Sequence, residues 1–271
     1  MGVNRRDFLK IAGLSALFGL GGKSAVDLLA PGELEASMES VPLLKGKRWA
    51  MVIDVHKLDD EVMERCIEAC HHIHNVPDLG SPKEEVKWIW KEDYEHSFPG
   101  QQHSYIGDDI KDRTFLLLCN HCSNPPCCRA CPTKATWQRD DGIVMMDQHR
   151  CIGCRFCMAA CPFGARSFNW GNPRRASEVE ELIELNPGFP QNPDYPTRSK
   201  GVVEKCIFCS ERLAKGQMPA CVEAAAEIRE GALTFGDLDD PDSDVRELLR
   251  AHYSIRRKPE LGTEPNVFYI I

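Results

Sequence analysis

Fourteen of the 271 residues are cysteine, and their spacing constrains the chain more than any other feature. The densest run is Cys151-x2-Cys154-x2-Cys157-x3-Cys161-Pro162. Three thiolates at this spacing wrap one cubane cluster, and the fourth, beyond a turn, ligates a neighbouring cluster. A second run, Cys119-x2-Cys122-x4-Cys127-x3-Cys131-Pro132, repeats the pattern with two extra residues. Cys127 and Cys131 recur 30 residues later as Cys157 and Cys161. Spacing therefore assigns Cys119, Cys122, Cys127 and Cys161 to one [4Fe–4S] cluster (site 1). Cys151, Cys154, Cys157 and Cys131 go to a second (site 2). The proline after each last cysteine forces a turn and has no N–H to donate. Zinc usually takes two separated C-x2-C pairs, so tandem four-cysteine runs argue against it here.

The remaining cysteines are less explicit. Cys206-x2-Cys209-x11-Cys221 lacks a fourth ligand, and its spacing alone suits zinc as well as iron. Cys66 and Cys70 would share a helix face with His74, and His71 and His72 lie beside them. In isolation that face could bind zinc; a polar or interface role is the alternative. Cys66 reads as a buried apolar thiol. Cys128 reads as a non-ligand, because using it in place of Cys127 breaks the x3 spacing to Cys131. Lys134, Arg155, Lys205 and Arg212 lie near these cysteines in sequence. A cation or backbone N–H beside a cluster raises its potential, although most such charges are simply solvated.

The first segment is an address. Asn4-Arg5-Arg6-Asp7-Phe8-Leu9-Lys10 precedes an uncharged run from Ile11 to Gly22, the pattern of a twin-arginine export signal. The apolar run is too short for a membrane span. Residues 1–36 are read as this signal, cleaved or kept as an anchor. The twin-arginine route carries folded cargo, which suits a cofactor inserted before export to the periplasmic face of the cytoplasmic membrane.

Composition bounds the rest. The chain is 42% hydrophobic and 27% charged with a net charge of −8, a balance that argues against nucleic acid as a partner. There is no catalytic triad, phosphate-binding glycine loop or dinucleotide fingerprint. We therefore assign no catalytic residue and no small-molecule substrate of its own, and single-electron transfer is what remains. A zinc-bearing structural subunit is the alternative of another class.

Periodicity predicts a strand over 48–55, a helix over 59–74, a strand over 114–118, a hairpin around Asp140-Asp141-Gly142, strands over 164–170 and 232–235, and a helix near 243–252. Residues 75–112 and 171–200 are rich in proline and read as loops. The fold class is α+β. Residues 37–118 form a first strand and helix plus an insertion, 119–170 a double-cluster module, 171–200 a second insertion. Residues 201–271 form a fourth block packing with 48–74, plus a C-terminal tail.

The four-block layout, from Ala50-Met-Val-Ile-Asp to Pro265-Asn-Val-Phe-Tyr-Ile, resembles the ferredoxin-like iron–sulfur subunits of molybdopterin- and NrfD-type membrane oxidoreductases. The resemblance implies two tandem ferredoxin-like modules and a pairing of block one with block four. It also implies that Cys70 completes Cys206, Cys209 and Cys221 (site 3). The family's remaining cluster would use three cysteines of block one and the last of block four. Of those three only Cys66 remains here, and Ala225 stands where the last cysteine of block four belongs. Three clusters, not four, are expected. The degenerate first block and the export signal look most like the periplasmic subunit of the DsrMKJOP complex of sulfur metabolism. This implies a polytopic NrfD-like quinone-interacting subunit and a multihaem cytochrome c subunit as partners. Polysulfide, tetrathionate and nitrite reductases and hydrogenases have equivalent subunits.

Overall fold

The computed structural model describes residues 44–196 and 198–271. The export signal read over 1–36 lies outside them.

Strand β1 (Trp49–Asp54) is apolar at successive positions because both its faces are covered. It sits inside a four-stranded sheet of order β8-β1-β10-β9, where β8 is Leu233–Asp237, β9 is Ser254–Ile255 and β10 is Val267–Ile270. β1 runs parallel to β10, with Met51 opposite Val267, and antiparallel to β8, with Met51 opposite Phe235. Trp49, Met51 and Ile53 face the main core. Ala50 and Val52, at the alternate positions, pack with Leu238, Val245 and Ile270, and Val245 belongs to helix α9 (Asp244–Ala251).

Helix α1 (Asp60–His74) starts where the Asp59 carboxylate accepts the Val62 N–H at 3.0 Å. It ends at Asn75 in the left-handed conformation. Val62, Cys66, Cys70 and His74, four residues apart, form its buried stripe. That stripe packs on helix α8 (Ala220–Ile228), whose buried residues are Ala220, Cys221, Ala224 and Ala225. Alanines leave room for the two backbones to approach.

The stretch 75–112, expected as loop, contains strand β2 (Ile89–Asp93) and helices α2 (Tyr94–Ser97) and α3 (Asp108–Lys111). β2 pairs antiparallel with β3 (Thr114–Leu118), Trp90 opposite Leu117. Trp88, Ile89 and Trp90 are buried, so a segment with charged neighbours is held as strand by its tryptophans. The 171–200 insertion likewise contains helix α6 (Glu180–Leu185) and a helical turn at Pro173–Ser177. Between these lie α4 (Pro126–Arg129), the expected hairpin β4–β5 (Thr136–Gln138 and Val144–Met146) and α5 (Phe156–Ala160). The strand expected over 164–170 shortens to β6 (Ser167–Phe168), which pairs with β7 (Val203–Glu204).

Replacing the α1 cap, Asp59→Ala, should destabilise the chain by about 1 kcal/mol. In denaturant unfolding this is read as a lower midpoint at an unchanged slope.

Candidate iron–sulfur site

The cysteines of site 1 converge from two distant runs. Cys119, Cys122, Cys127 and Cys161 line one cavity, closed by Pro125, Pro126, Pro162, Val144, Phe163, Ala165 and Arg166. The short strand β3 delivers Cys119 at its end, and α4 carries Cys127. Burial, then the neighbouring Cys119, pushes the Cys122 thiol up to about 12. Cys127 behaves oppositely. A hydrogen bond from Cys128, then the charges of Arg166 and Lys205, lower its thiol's pKa despite its burial.

At site 2, helices α4 and α5 pack together, and Cys151 and Cys157 join Cys127 and Val144 in one small core. Cys151 and Cys154 are half-buried. The loop that holds them turns at Gly153 (φ +71°), whose N–H donates to Cys151 Sγ at 3.4 Å. A Cβ there would lie 2.4 Å from the Gly201 carbonyl, so only glycine fits. Cys131, at the end of α4, is buried. Burial opposes its thiolate, but the N–H groups of Thr133, Ala135 and Thr136 and the Thr133 hydroxyl outweigh it and hold the pKa down.

Site 3 is the most enclosed. Cys70, Cys206, Cys209 and Cys221 are all buried. Burial, followed by the charges of the other three, pushes the Cys70 thiol far up. Phe208 N–H donates to Cys206 Sγ and Ala220 N–H to Cys209 Sγ, both at 3.4 Å. Phe208 and Cys209 are consecutive left-handed residues, at φ 53° and 48°. Non-glycine residues keep such angles only where the surroundings impose them, here a loop folded so that its amides face sulfur.

The seam between α1 and α8, where the resemblance would place a further cluster, is filled by packed side chains. Cys66 is fully buried, its Sγ donates to the Cys221 carbonyl at 3.3 Å, and burial pushes its thiol up to about 12. Ala225 is buried in the same helix seam. His74 does not join Cys66. Its Nδ1 lies 2.9 Å from the Cys70 carbonyl and 3.6 Å from Cys70 Sγ, and its Nε2 lies 2.9 Å from the Glu211 carboxylate. The ring stacks on Trp88. His72 is exposed, while burial and then the Arg198 charge lower His71 to about 4.

Among the charges noted in sequence, Lys134 is exposed, Arg155 lies over the Trp170 and Phe168 rings, and Arg212 pairs with Glu223. Lys205 alone is fully buried. Sequence reasoning missed Arg166 and Glu211; a lone arginine just before a two-residue strand gives no pattern to find it by.

These thiols fit iron–sulfur clusters. All the cysteines are free, several receive backbone N–H bonds, and one cavity is lined by four sulfurs. Anionic sulfur and inward N–H groups are the environment a cubane requires.

A 4Fe-4S dicluster domain matches residues 113–177, the stretch that carries sites 1 and 2. With the thiol geometry, this defines a 4Fe–4S protein with a ferredoxin-like domain. The chain is 37% identical to the Hdr-like menaquinol oxidoreductase iron-sulfur subunit 1 of Archaeoglobus fulgidus, over 98% of this chain and 97% of that protein. It is 32% identical to the menaquinone reductase iron-sulfur cluster-binding subunit of Nitratidesulfovibrio vulgaris (82% of this chain, 88% of that one). It is also 32% identical to the NrfC homolog of Haemophilus influenzae (92% and 91%). The chain belongs to the family of iron–sulfur subunits of NrfD-type membrane oxidoreductases.

Cys66→Ala should leave iron and sulfide per chain unchanged. Cys70→Ser should remove one cluster, about 4 iron. Metal and sulfide analysis of the purified variants checks both.

Proposed function

We propose that the chain is a non-catalytic electron-transfer subunit holding three [4Fe–4S] clusters on twelve cysteines. These are Cys119, Cys122, Cys127 and Cys161; Cys151, Cys154, Cys157 and Cys131; and Cys206, Cys209, Cys221 and Cys70. The observation that carries this reading is the division of labour between Cys66 and Cys70. One turn apart on α1, the first donates to a carbonyl in the helix seam, and the second lies among three other buried cysteines. When bound, such clusters supply reversible one-electron transfer with no open position for a substrate.

The chain's own residues set the order of the sites. Cys119 acts electrostatically on Cys206, and Cys127 on Cys157. These contacts support a row in which site 1 is central, between site 3 and site 2. Apolar walls exclude water, and backbone amides aimed at sulfur favour the electron-rich state.

The names of the relatives support quinone-linked partners. The partner we assign is a polytopic NrfD-like membrane subunit, with a multihaem cytochrome c or another redox subunit at the far end of the row. The setting that suits the degenerate first block best is a DsrMKJOP-like complex of sulfur metabolism. The equivalent subunits of polysulfide, tetrathionate or nitrite reductase or hydrogenase complexes are the neighbouring readings. The Arg5-Arg6 signal supports export in the folded state to the periplasmic face of the membrane.

Iron and sulfide analysis should give about 12 of each per chain, with reduced-state EPR signals from three interacting centres. About 8 iron would remove site 3, about 16 would demand a fourth cluster, and colourless protein with stoichiometric zinc would overturn the reading. Replacing Arg5 and Arg6 by lysine should strand the loaded chain in the cytoplasm, as fractionation would show.

A further inference from the structure

Arg166 and Lys205 are buried, at 5% and 1% exposure, in the middle of the molecule. They follow from one local arrangement. Ser167 of β6 lies opposite Glu204 of β7, so Arg166 and Lys205 follow just beyond the end of this antiparallel ladder. Two buried like charges brought together there repel. Their hydrogen-bond partners do not offset this. Arg166 donates to Thr136 Oγ1 at 2.7 Å and to Met146 Sδ at 3.8 Å. Lys205 Nζ donates to the Val144 carbonyl and, at 2.7 Å, to the Cys206 carbonyl. None of these is an anion. The nearby Glu204 is committed elsewhere, to Arg198 at 2.7 Å, Trp88 Nε1 at 2.7 Å and Asn169 at 2.6 Å.

A buried cation without a counter-ion is not tolerated in an apolar interior. What surrounds this pair is sulfur. Arg166 lines the cavity of Cys119, Cys122, Cys127 and Cys161, and its charge also acts on Cys157 of site 2. Lys205 donates to the carbonyl of Val144, which lines the same cavity, and its charge acts on Cys127 of site 1 and on the adjoining Cys206. Of the other buried cations, Arg198 is paired with Glu204, and Arg257 lies over Phe163 at the edge of the same cavity and donates to the Ser97 carbonyl at 2.9 Å.

We propose that Arg166 and Lys205 are the resident counter-ions of site 1 and make the cluster held there the most easily reduced of the row. This rests on the three-cluster reading above. Reduction adds one electron, hence one negative charge, to the central station, and the neighbouring station that donates it loses one. The cations are already in place, so no proton or further reactant is needed. Both residues act through the site and touch no substrate: they are positioning charges.

EPR-monitored redox titration of the as-isolated chain, with iron content measured in parallel, tests this. Arg166→Gln and Lys205→Gln should each lower the reduced fraction of the highest-potential signal at fixed ambient potential by at least tenfold, ~59 mV for one electron. Both should move the same signal. The charge-keeping variants Arg166→Lys and Lys205→Arg should stay near the wild type, which a purely structural role would not require. Should one neutral variant fail to take up iron, the other still decides. The proposal is overturned by shifts below twofold at full iron content, by the two variants moving different signals, or by charge-keeping variants that shift as far as the neutral ones. A wild-type iron content other than about 12 would instead count against the three-cluster reading.

Discussion

The close approach of α1 to α8 is the constraint on which the arrangement of cysteines depends. Ala220, Ala224 and Ala225 present almost no side chain to α1. The seam is narrow enough for the Cys66 thiol to reach the Cys221 carbonyl at 3.3 Å. Helical periodicity does the rest. One turn beyond Cys66 places Cys70 among Cys206, Cys209 and Cys221, and one more turn places His74 against Glu211. A cluster in the seam would need the helices apart, whereas small alanines and the Cys66 thiol fill the space between them.

The same enclosure explains the polar groups in the interior. Arg198 and Glu204 form an ion pair with both side chains almost fully buried. Such a pair seldom repays its desolvation by charge attraction alone. Here Glu204 also takes Trp88 Nε1 and Asn169, and Arg198 donates to the Asn75 carbonyl at the end of α1. The network ties the 171–200 insertion, the β2 segment and the C-terminal end of α1 together around site 3. Asn192, within that insertion, adds bonds to Asn75 and to the Ile73 carbonyl. Both insertions thus hold the edge of the most buried site.

What was legible in sequence follows the range of the physics behind it. Cysteine spacing reports ligation within one turn of chain, so the members of sites 1 and 2 could be read from the motifs. Cys70 could not be assigned that way, since 136 residues separate it from Cys206; a family resemblance supplied it. α1 and β1 were legible because one buried stripe or one apolar run dictates each. β2 was not, because Lys91, Glu92 and Asp93 disguise a strand whose burial comes from Trp88, Ile89 and Trp90 and whose partner β3 is distant. Arg166 and Lys205 were illegible as a pair. Their meaning lies in the β6–β7 register and in the absence of carboxylates among their hydrogen-bond partners.

The three groups of cysteines differ in their distance from water, and that sets a gradient the sequence pattern does not contain. All four cysteines of site 3 are buried, whereas Cys151 and Cys154 of site 2 are half-buried in a loop where Ile152, like Phe156 at the start of α5, is largely exposed. Water and peptide dipoles stabilise added charge where they have access; an apolar wall opposes it. On exposure alone, site 2 would take an electron more readily than site 3. In the proposed row site 1 lies between them, and Arg166 and Lys205 would supply from within the stabilisation that solvent supplies at the loop. Fixed charge in a low-dielectric interior acts more strongly than the same charge in water. On the proposed reading two side chains work against the burial of the central thiols, and the order of potentials along the row need not follow the order of exposure.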